Sequence, residues 1–271
     1  MDIGKGLGPG DAAAARARRN TGRRLKGALA VRIGTDILSG VYLPGDRLSG
    51  EIAFAEELDV SRTAYREAVQ VLAAKGLVES RTKTGTRILP RERWNLLDPD
   101  VLAWSFAGEP DPQLIHNLFE LRAIIEPAAA RLAAERREAD DLAVLSNALA
   151  AMELHSLATE TGRAADRTFH RALLHATRND ALIFLSAGVG AAVHWTTEFK
   201  QRARALPRDP VPDHRRVYEA VAAGDSLAAG TAMQLLIELA LEDTIRNAPQ
   251  SDVADRDVFR AHGEHSNTSF L

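Results

Sequence analysis

The chain has 271 residues, 45% hydrophobic and 26% charged, the balance of a globular protein long enough for two domains. Aromatics make up only 5% and cysteine is absent, which excludes an aromatic-rich β-sandwich, disulfides and thiolate metal sites. Residues 1–24 lack the apolar core of a signal peptide. The apolar run from Ala181 to Val193 is too short to span a bilayer, so a cytoplasmic protein without membrane contact is expected.

The formal net charge of -3 conceals an asymmetry. Residues 1–95 carry 17 Lys and Arg against 11 Asp and Glu, whereas residues 96–271 carry 17 against 26. A basic third joined to an acidic remainder suits a chain whose first part alone meets a polyanion. A basic tail explains the same charge without a partner, because Arg16, Arg18, Arg19, Arg23 and Arg24 supply much of the excess. The order of the elements decides between the two.

Residues 1–24 are expected to form a flexible tail. Leu25, Leu29, Ile33 and Ile37 then recur every four positions, one stripe of an amphipathic helix that Gly40 ends. Tyr42 to Asp46 is turn chemistry. A short helix from about Glu51 to Leu58 buries Phe54 and Leu58, and Ser61 is placed to cap a third helix, Arg62 to Lys75. That helix buries Tyr65, Val69 and Leu72 and stops at Gly76. Two extended runs, Leu77–Arg81 and Thr86–Leu89, flank the tip Thr82-Lys83-Thr84-Gly85, whose glycine suits a tight hairpin.

Residues 25–90 thus follow the order of a winged helix-turn-helix, three helices plus a small β-hairpin wing, whose third helix enters the major groove of double-stranded DNA. Arg62 and Arg66 lie four apart on one face, suited to guanine edges or phosphates. Ser61 and Thr63 offer hydroxyls at a positive helix end, suited to phosphate oxygens.

Residues 91–112 read as a linker anchored by Trp94 and Trp104. Beyond it an all-helical antiparallel bundle of six or seven helices is expected over 113–247, so the fold class is mainly α. The spans are near 113–136, 139–161, 163–177, 179–205, 213–223 and 225–246, with Gly162, Asn179, Pro207/Pro210/Pro212 and Gly224 as breaks. Residues 248–271 are polar and expected to fray.

Three polar residues are placed to converge inside this bundle. Asp166 and His170 share a helix face, and His214 precedes Val217 and Val221 by three and seven residues, so it points inward. A carboxylate and two imidazoles suit a divalent, zinc-like metal; a histidine oriented by Asp166 for structure alone fits the same spacing. Arg122, one step from the Leu114–Leu118–Leu121–Ile125 stripe, suits capture of a carboxylate, or pairing with Glu120 or Glu126. His194, Trp195 and Thr196 are further candidates for the pocket wall. A hydrolase or lyase built on the triad lacks a nucleophile or general base beside it. A fatty acyl thioester pocket would bury three polar groups beside an acyl chain.

The blocks Leu43-Pro44-Gly45-Asp46-Arg47-Leu48, Val60-Ser61-Arg62-Thr63-Ala64-Tyr65-Arg66-Glu67-Ala68, Ala73-Ala74-Lys75-Gly76-Leu77-Val78 and Gly85-Thr86 resemble the DNA-binding domain of GntR-type transcriptional regulators. The resemblance implies operator binding as a homodimer through Glu51, Ser61, Arg62, Thr63 and Arg66, with a wing at Lys83, Thr84, Gly85 and Thr86 in the adjacent minor groove. Ile52 stands where members often carry a basic residue, so one base contact is missing. Glu120-Leu121-Arg122-Ala123-Ile124-Ile125-Glu126-Pro127, Asp166-x-x-x-His170 and Asp213-His214-Arg215 resemble the FCD-type effector domain of the FadR branch.

That second resemblance implies a metal on Asp166, His170 and His214, with Arg122 holding a small carboxylate effector. The branch's fourth ligand position falls at Leu236, which cannot ligate, so the set is one ligand short. The linker from Trp94 to Trp104 is similar to that of members controlling sugar-acid breakdown, which implies a sugar acid as effector. Asp166, His170 and His214 suit its hydroxyls with or without a metal.

Overall fold

The computed structural model describes residues 27–49, 60–81, 85–203 and 208–247. The expected tails, the helix from Glu51 to Leu58 and the wing tip with Lys83 and Thr84 lie outside the described residues. Two compact units result, residues 1–96 with 107–109, and residues 97–106 with 110–271.

In the first unit, α1 (27–38) buries Leu29, Ile33 and Ile37 along the expected stripe. Helix α2 (Arg62–Ala74) begins where Ser61 accepts the Ala64 N–H at 3.1 Å, an N-cap that satisfies one of the first-turn donors. It buries Tyr65, Val69 and Leu72 and leaves Arg62, Thr63 and Arg66 exposed. Strands β1 (Val78–Arg81) and β2 (Gly85–Ile88) pair antiparallel, with Val78 opposite Ile88.

Two features here were not expected. Residues 45–48 line up on the other edge of β2: Leu48 N–H donates to the Thr86 carbonyl and Ile88 N–H to that of Asp46, each within 3.0 Å. Such pairing is set by contacts far apart in sequence, so the local turn signal at Pro44-Gly45 hides it. The start of the expected linker also folds back, because Trp94 Nε1–H donates to the Leu89 carbonyl at 2.8 Å and Asn95 N–H to that of Lys75. Gly76 makes this possible. Its φ of 73° is left-handed, and a Cβ there would stand 2.1 Å from the Arg93 carbonyl oxygen.

The second unit opens with α3 (Pro99–Ser105), a helix where the sequence reading had only linker. Asp98 caps it and Pro99 occupies its first turn, while Val101, Leu102 and Trp104 are buried. The bundle follows as α4 (Pro112–Arg136), α5 (Ala139–His155), α6 (Glu160–Ala176), α7 (Asp180–Ala203), α8 (Val211–Ala223) and α9 (Ser226–Asn247). Helix α4 is central: it packs along α9 and also meets α6, α7 and α8. Its buried face runs through Ile115, Leu118, Phe119, Arg122 and Glu126, so the expected stripe is rotated and Leu121 and Ile125 lie at its margin. Among the described residues, no helix is long and apolar enough to cross a membrane.

The expected helix over 139–161 ends early. Helix α5 stops at His155, Ser156 turns the chain with φ 57°, and Thr159 caps α6 by accepting the Gly162 N–H at 3.1 Å. Gly162 therefore lies inside α6 and is no break. Its reason is space, since a Cβ there would stand 1.8 Å from the Ser156 carbonyl oxygen. A helical Gly→Ala exchange ordinarily gains ~0.5–1 kcal/mol. Here overpacking of ~1–3 kcal/mol wins. Gly162→Ala is expected to lower the melting midpoint by several degrees in a calorimetric scan; an unchanged or raised midpoint would show the turn gives way.

Candidate functional site

Helix periodicity brings the polar residues of four helices to one place. Arg122 and Glu126 are one turn apart on α4, as are Asp166 and His170 on α6, and each pair faces inward. His214 enters from the first turn of α8. Thr196, Thr197 and Lys200 come from α7. All eight are nearly fully buried.

Arg122 Nε–H donates to Glu126 Oε1 at 2.7 Å, and His170 Nδ1–H donates to Glu126 Oε2. His214 Nδ1–H donates to the Pro210 carbonyl at 2.9 Å. Both rings are therefore held from behind, with their Nε2 atoms turned toward Asp166 Oδ1. The separations are 2.9 Å from His214 Nε2 to Asp166 Oδ1, 3.4 Å from His170 Nε2 to Asp166 Oδ1, and 3.4 Å between the two Nε2 atoms. Ligand atoms on a tetrahedral zinc, each about 2.0–2.1 Å from the metal, lie about 3.3 Å apart, so the donor set fits such an ion without rearrangement. In the metal-free protein a proton on His170 Nε2 makes its contact with Asp166 a charge-assisted hydrogen bond.

Burial disfavours the charged form of His170, yet the Glu126 carboxylate and the Asp166 hydrogen bond outweigh it and raise its pKa to about 9. Burial likewise works against Glu126 ionisation, but His170 and Arg122 hold it down to about 2. Asp166 sits well below the usual carboxylate range, its burial overcome by His170 and His214. Burial brings Lys200 down to about 8 against the opposing pull of Asp166.

All of these except Glu126 line a small cavity, partly open to solvent, whose free volume of about 10 Å³ is that of one water, so a larger ligand must displace its walls. Its polar wall is Arg122, Asp166, His170, Thr196, Thr197, Lys200 and His214; Phe119, Leu157, Pro210, Leu236 and Ala240 complete it. Three cationic side chains face one carboxylate, a wall suited to an anion with hydroxyl groups. Arg122 lines the cavity and, of its two expected partners, pairs with Glu126. Leu236 occupies the wall as an apolar contact.

Trp195 does not line this cavity. It is partly buried and stacks on Phe106, with ring centroids 6.3 Å apart. The reason is helical phase: one residue along, Thr196 and Thr197 take the cavity side, and Trp195 is turned about 100° away. His194 is turned away too, its Nδ1 accepting from Arg167 at 2.8 Å. Thr197, Lys200 and the Pro210 carbonyl were missed by sequence reading, although Lys200 lies one turn after Thr196.

On the first unit, the exposed first turn of α2 carries Ser61, Arg62, Thr63 and Arg66 on the face expected to meet DNA. Thr86 departs from expectation. It is buried, its hydroxyl within 3.4 Å of Ser80 Oγ, because alternation along β2 turns it inward while Gly85 and Arg87 face out.

The pKa of His170 gives the metal-free protein a pH signature. A base whose folded pKa exceeds its unfolded value of 6.5 stabilises fully below pH 6.5, and that contribution fades as pH rises through about 9. The depressed pKa of Lys200 acts oppositely, adding stability between about 8 and 10.5. The difference between wild type and His170→Gln isolates the first effect. Melts of chelator-treated protein from pH 6 to 10 are expected to show the wild-type advantage shrinking across that range, and a constant difference would refute it.

Residues 25–88 match the family model for the bacterial regulatory proteins of the gntR family, and residues 117–239 match the FCD domain. The chain is 34% identical over 212 residues to the galactonate operon transcriptional repressor of Escherichia coli K12, covering 77% of this chain and 92% of that protein. It is 34% identical over 202 residues to the regulator LutR of Bacillus subtilis, covering 73% and 90%. The solved structure of Lar, which controls expression of the Listeria monocytogenes agr system, superposes with a TM-score of 0.59 at 20% identity, over 82% of this chain and 96% of that one. With a winged helix-turn-helix in front and an FCD domain behind, this chain belongs to the GntR family of DNA-binding transcriptional regulators.

Proposed function

We propose that this regulator is a homodimeric repressor, released from its operator when a sugar acid such as galactonate opens and occupies the polar cavity of the helical unit. The observation that carries the reading is one small, partly open cavity in which Arg122 and Lys200 oppose Asp166, His170 and His214, with Thr196 and Thr197 between. Arg122 suits the carboxylate, and the threonines and histidines suit successive hydroxyls. The kinship to a galactonate repressor supports this substrate class. Two heads reading a two-fold operator account for the dimer.

Asp166, His170 and His214 would hold a divalent cation, which when bound supplies a Lewis-acidic anchor for carboxylate and hydroxyl oxygens. Glu126 and the Pro210 carbonyl would orient its two histidines. An inducer shifts the protein only by binding its DNA-incompetent arrangement more tightly.

Thermal melts against galactonate, other aldonates, dicarboxylates and an acyl thioester, each with and without chelator, test the effector and metal together. At a hundred times its dissociation constant a ligand raises stability by ~2.7 kcal/mol. An aldonate-specific rise is expected, cancelled by chelator if the cation is part of the site. A rise with the acyl thioester alone would overturn the sugar-acid reading.

The DNA face has its own test. Arg62→Ala or Arg66→Ala should cost ~1–3 kcal/mol of operator affinity where the side chain reads a base. Fluorescence anisotropy on the gene's own upstream region measures it, and undiminished affinity would remove that arginine from the interface.

A further inference from the structure

Glu126 belongs to neither the anion-binding nor the metal-ligating set, yet it touches both. It sits on α4 one turn after Arg122, on the same buried face, at 1% exposure. Its two oxygens divide their work: Oε1 accepts the Arg122 Nε–H at 2.7 Å, and Oε2 accepts the His170 Nδ1–H.

Each bond has a consequence for a different ligand. With Nδ1 tied to Oε2, His170 has only Nε2 to offer toward Asp166 and His214. A carboxylate behind the ring also raises its strength as a ligand. On the other side, part of the Arg122 guanidinium is already matched to a carboxylate. An incoming anion meets the remaining Nη atoms, one of them 3.5 Å from Thr196 Oγ1, and competes with Glu126 for the same positive charge.

We propose that Glu126 is a positioning residue that links the two subsites with opposite sign, strengthening the cation subsite through His170 and restraining the anion subsite through Arg122. This rests on the reading that the cavity takes a divalent cation and a carboxylate. Removing the charge while keeping the shape separates the two effects. In Glu126→Gln the ring loses its anionic support, so cation affinity falls. The guanidinium loses its internal counter-ion, so carboxylate affinity rises.

The experiment measures zinc affinity by competition with a chromophoric chelator, and galactonate affinity by calorimetry on protein held at saturating zinc. Wild type, Glu126→Gln and Arg122→Gln are compared, with melting midpoints recorded for each. In Glu126→Gln, zinc binding is expected to weaken by ~10–100-fold, while galactonate binding tightens. Arg122→Gln frees Glu126 wholly for His170, so zinc should bind more tightly and galactonate should be lost; this variant decides the matter if Glu126→Gln does not fold.

A purely structural Glu126 would lower the midpoint and weaken both ligands together, which overturns the inference. Unchanged affinities in both variants overturn it as well, and leave the sugar-acid reading standing. Wild-type protein that takes up only one ligand, or neither, defeats the underlying reading and the linkage with it.

Discussion

A helical bundle that closes over ionised side chains must make their charges cancel, because an unpaired charge in a dry interior costs more than a single domain can spare. Here Arg122, Glu126, His170 and Asp166 do so as an alternating chain, cation to anion to cation to anion, with His214 at its end. The chain crosses from α4 to α6 to α8. These helices are therefore registered by electrostatics as well as by shape.

Helix α4 shows how the sequence reconciles this with stability. Its second half buries Ala129, Ala130, Ala133 and Ala134, small residues that let neighbouring helices approach closely. Its first half carries Arg122 and Glu126 among Leu114, Ile115, Leu118 and Phe119. Close packing at one end holds the backbone in place, so the charged pair at the other is presented at fixed spacing. Truncating either partner would leave a buried charge unmatched, a larger penalty than the pair's own net contribution.

Elements with a local signature were legible from the chain alone. Ser61 capped α2 as its spacing required, Gly224 ended α8 in a left-handed conformation, and the four-residue spacing of Asp166 and His170 put them on one face. What escaped had no such signature, or a misleading one. A serine turning the chain at positive φ is rare, so the sequence points to Gly162 for the break that Ser156 makes. The Asp98-Pro99 start of α3 was a readable cap, overlooked between two tryptophans that suggested anchored linker. Pairing of 45–48 with β2 depends on residues some forty positions apart. At the site, Arg122 and the triad were legible, and Glu126 was seen only as a possible partner of Arg122. Its second bond, to His170, needs the crossing of α4 and α6, which no single-helix pattern contains.

The cavity draws its wall from α4, α6, α7, α8 and α9, so an effector bound as proposed would meet five helices at once. A ligand confined to one helix would change a local contact; one that meets five is sensitive to their mutual arrangement. Its binding free energy then differs between arrangements, which is the condition for shifting a population. Leu236 fits the same logic. As an apolar wall residue it offers no bond to a cation and none to a hydroxyl, so the polar ligands gather on the α4–α6–α8 side. The side of the cavity toward α9 is left to shape. For the proposed effector, discrimination rests on which hydroxyls reach Thr196, Thr197 and the imidazoles. Each hydroxyl of the wrong configuration leaves a buried polar group unmatched, a stronger basis for selectivity than apolar fit.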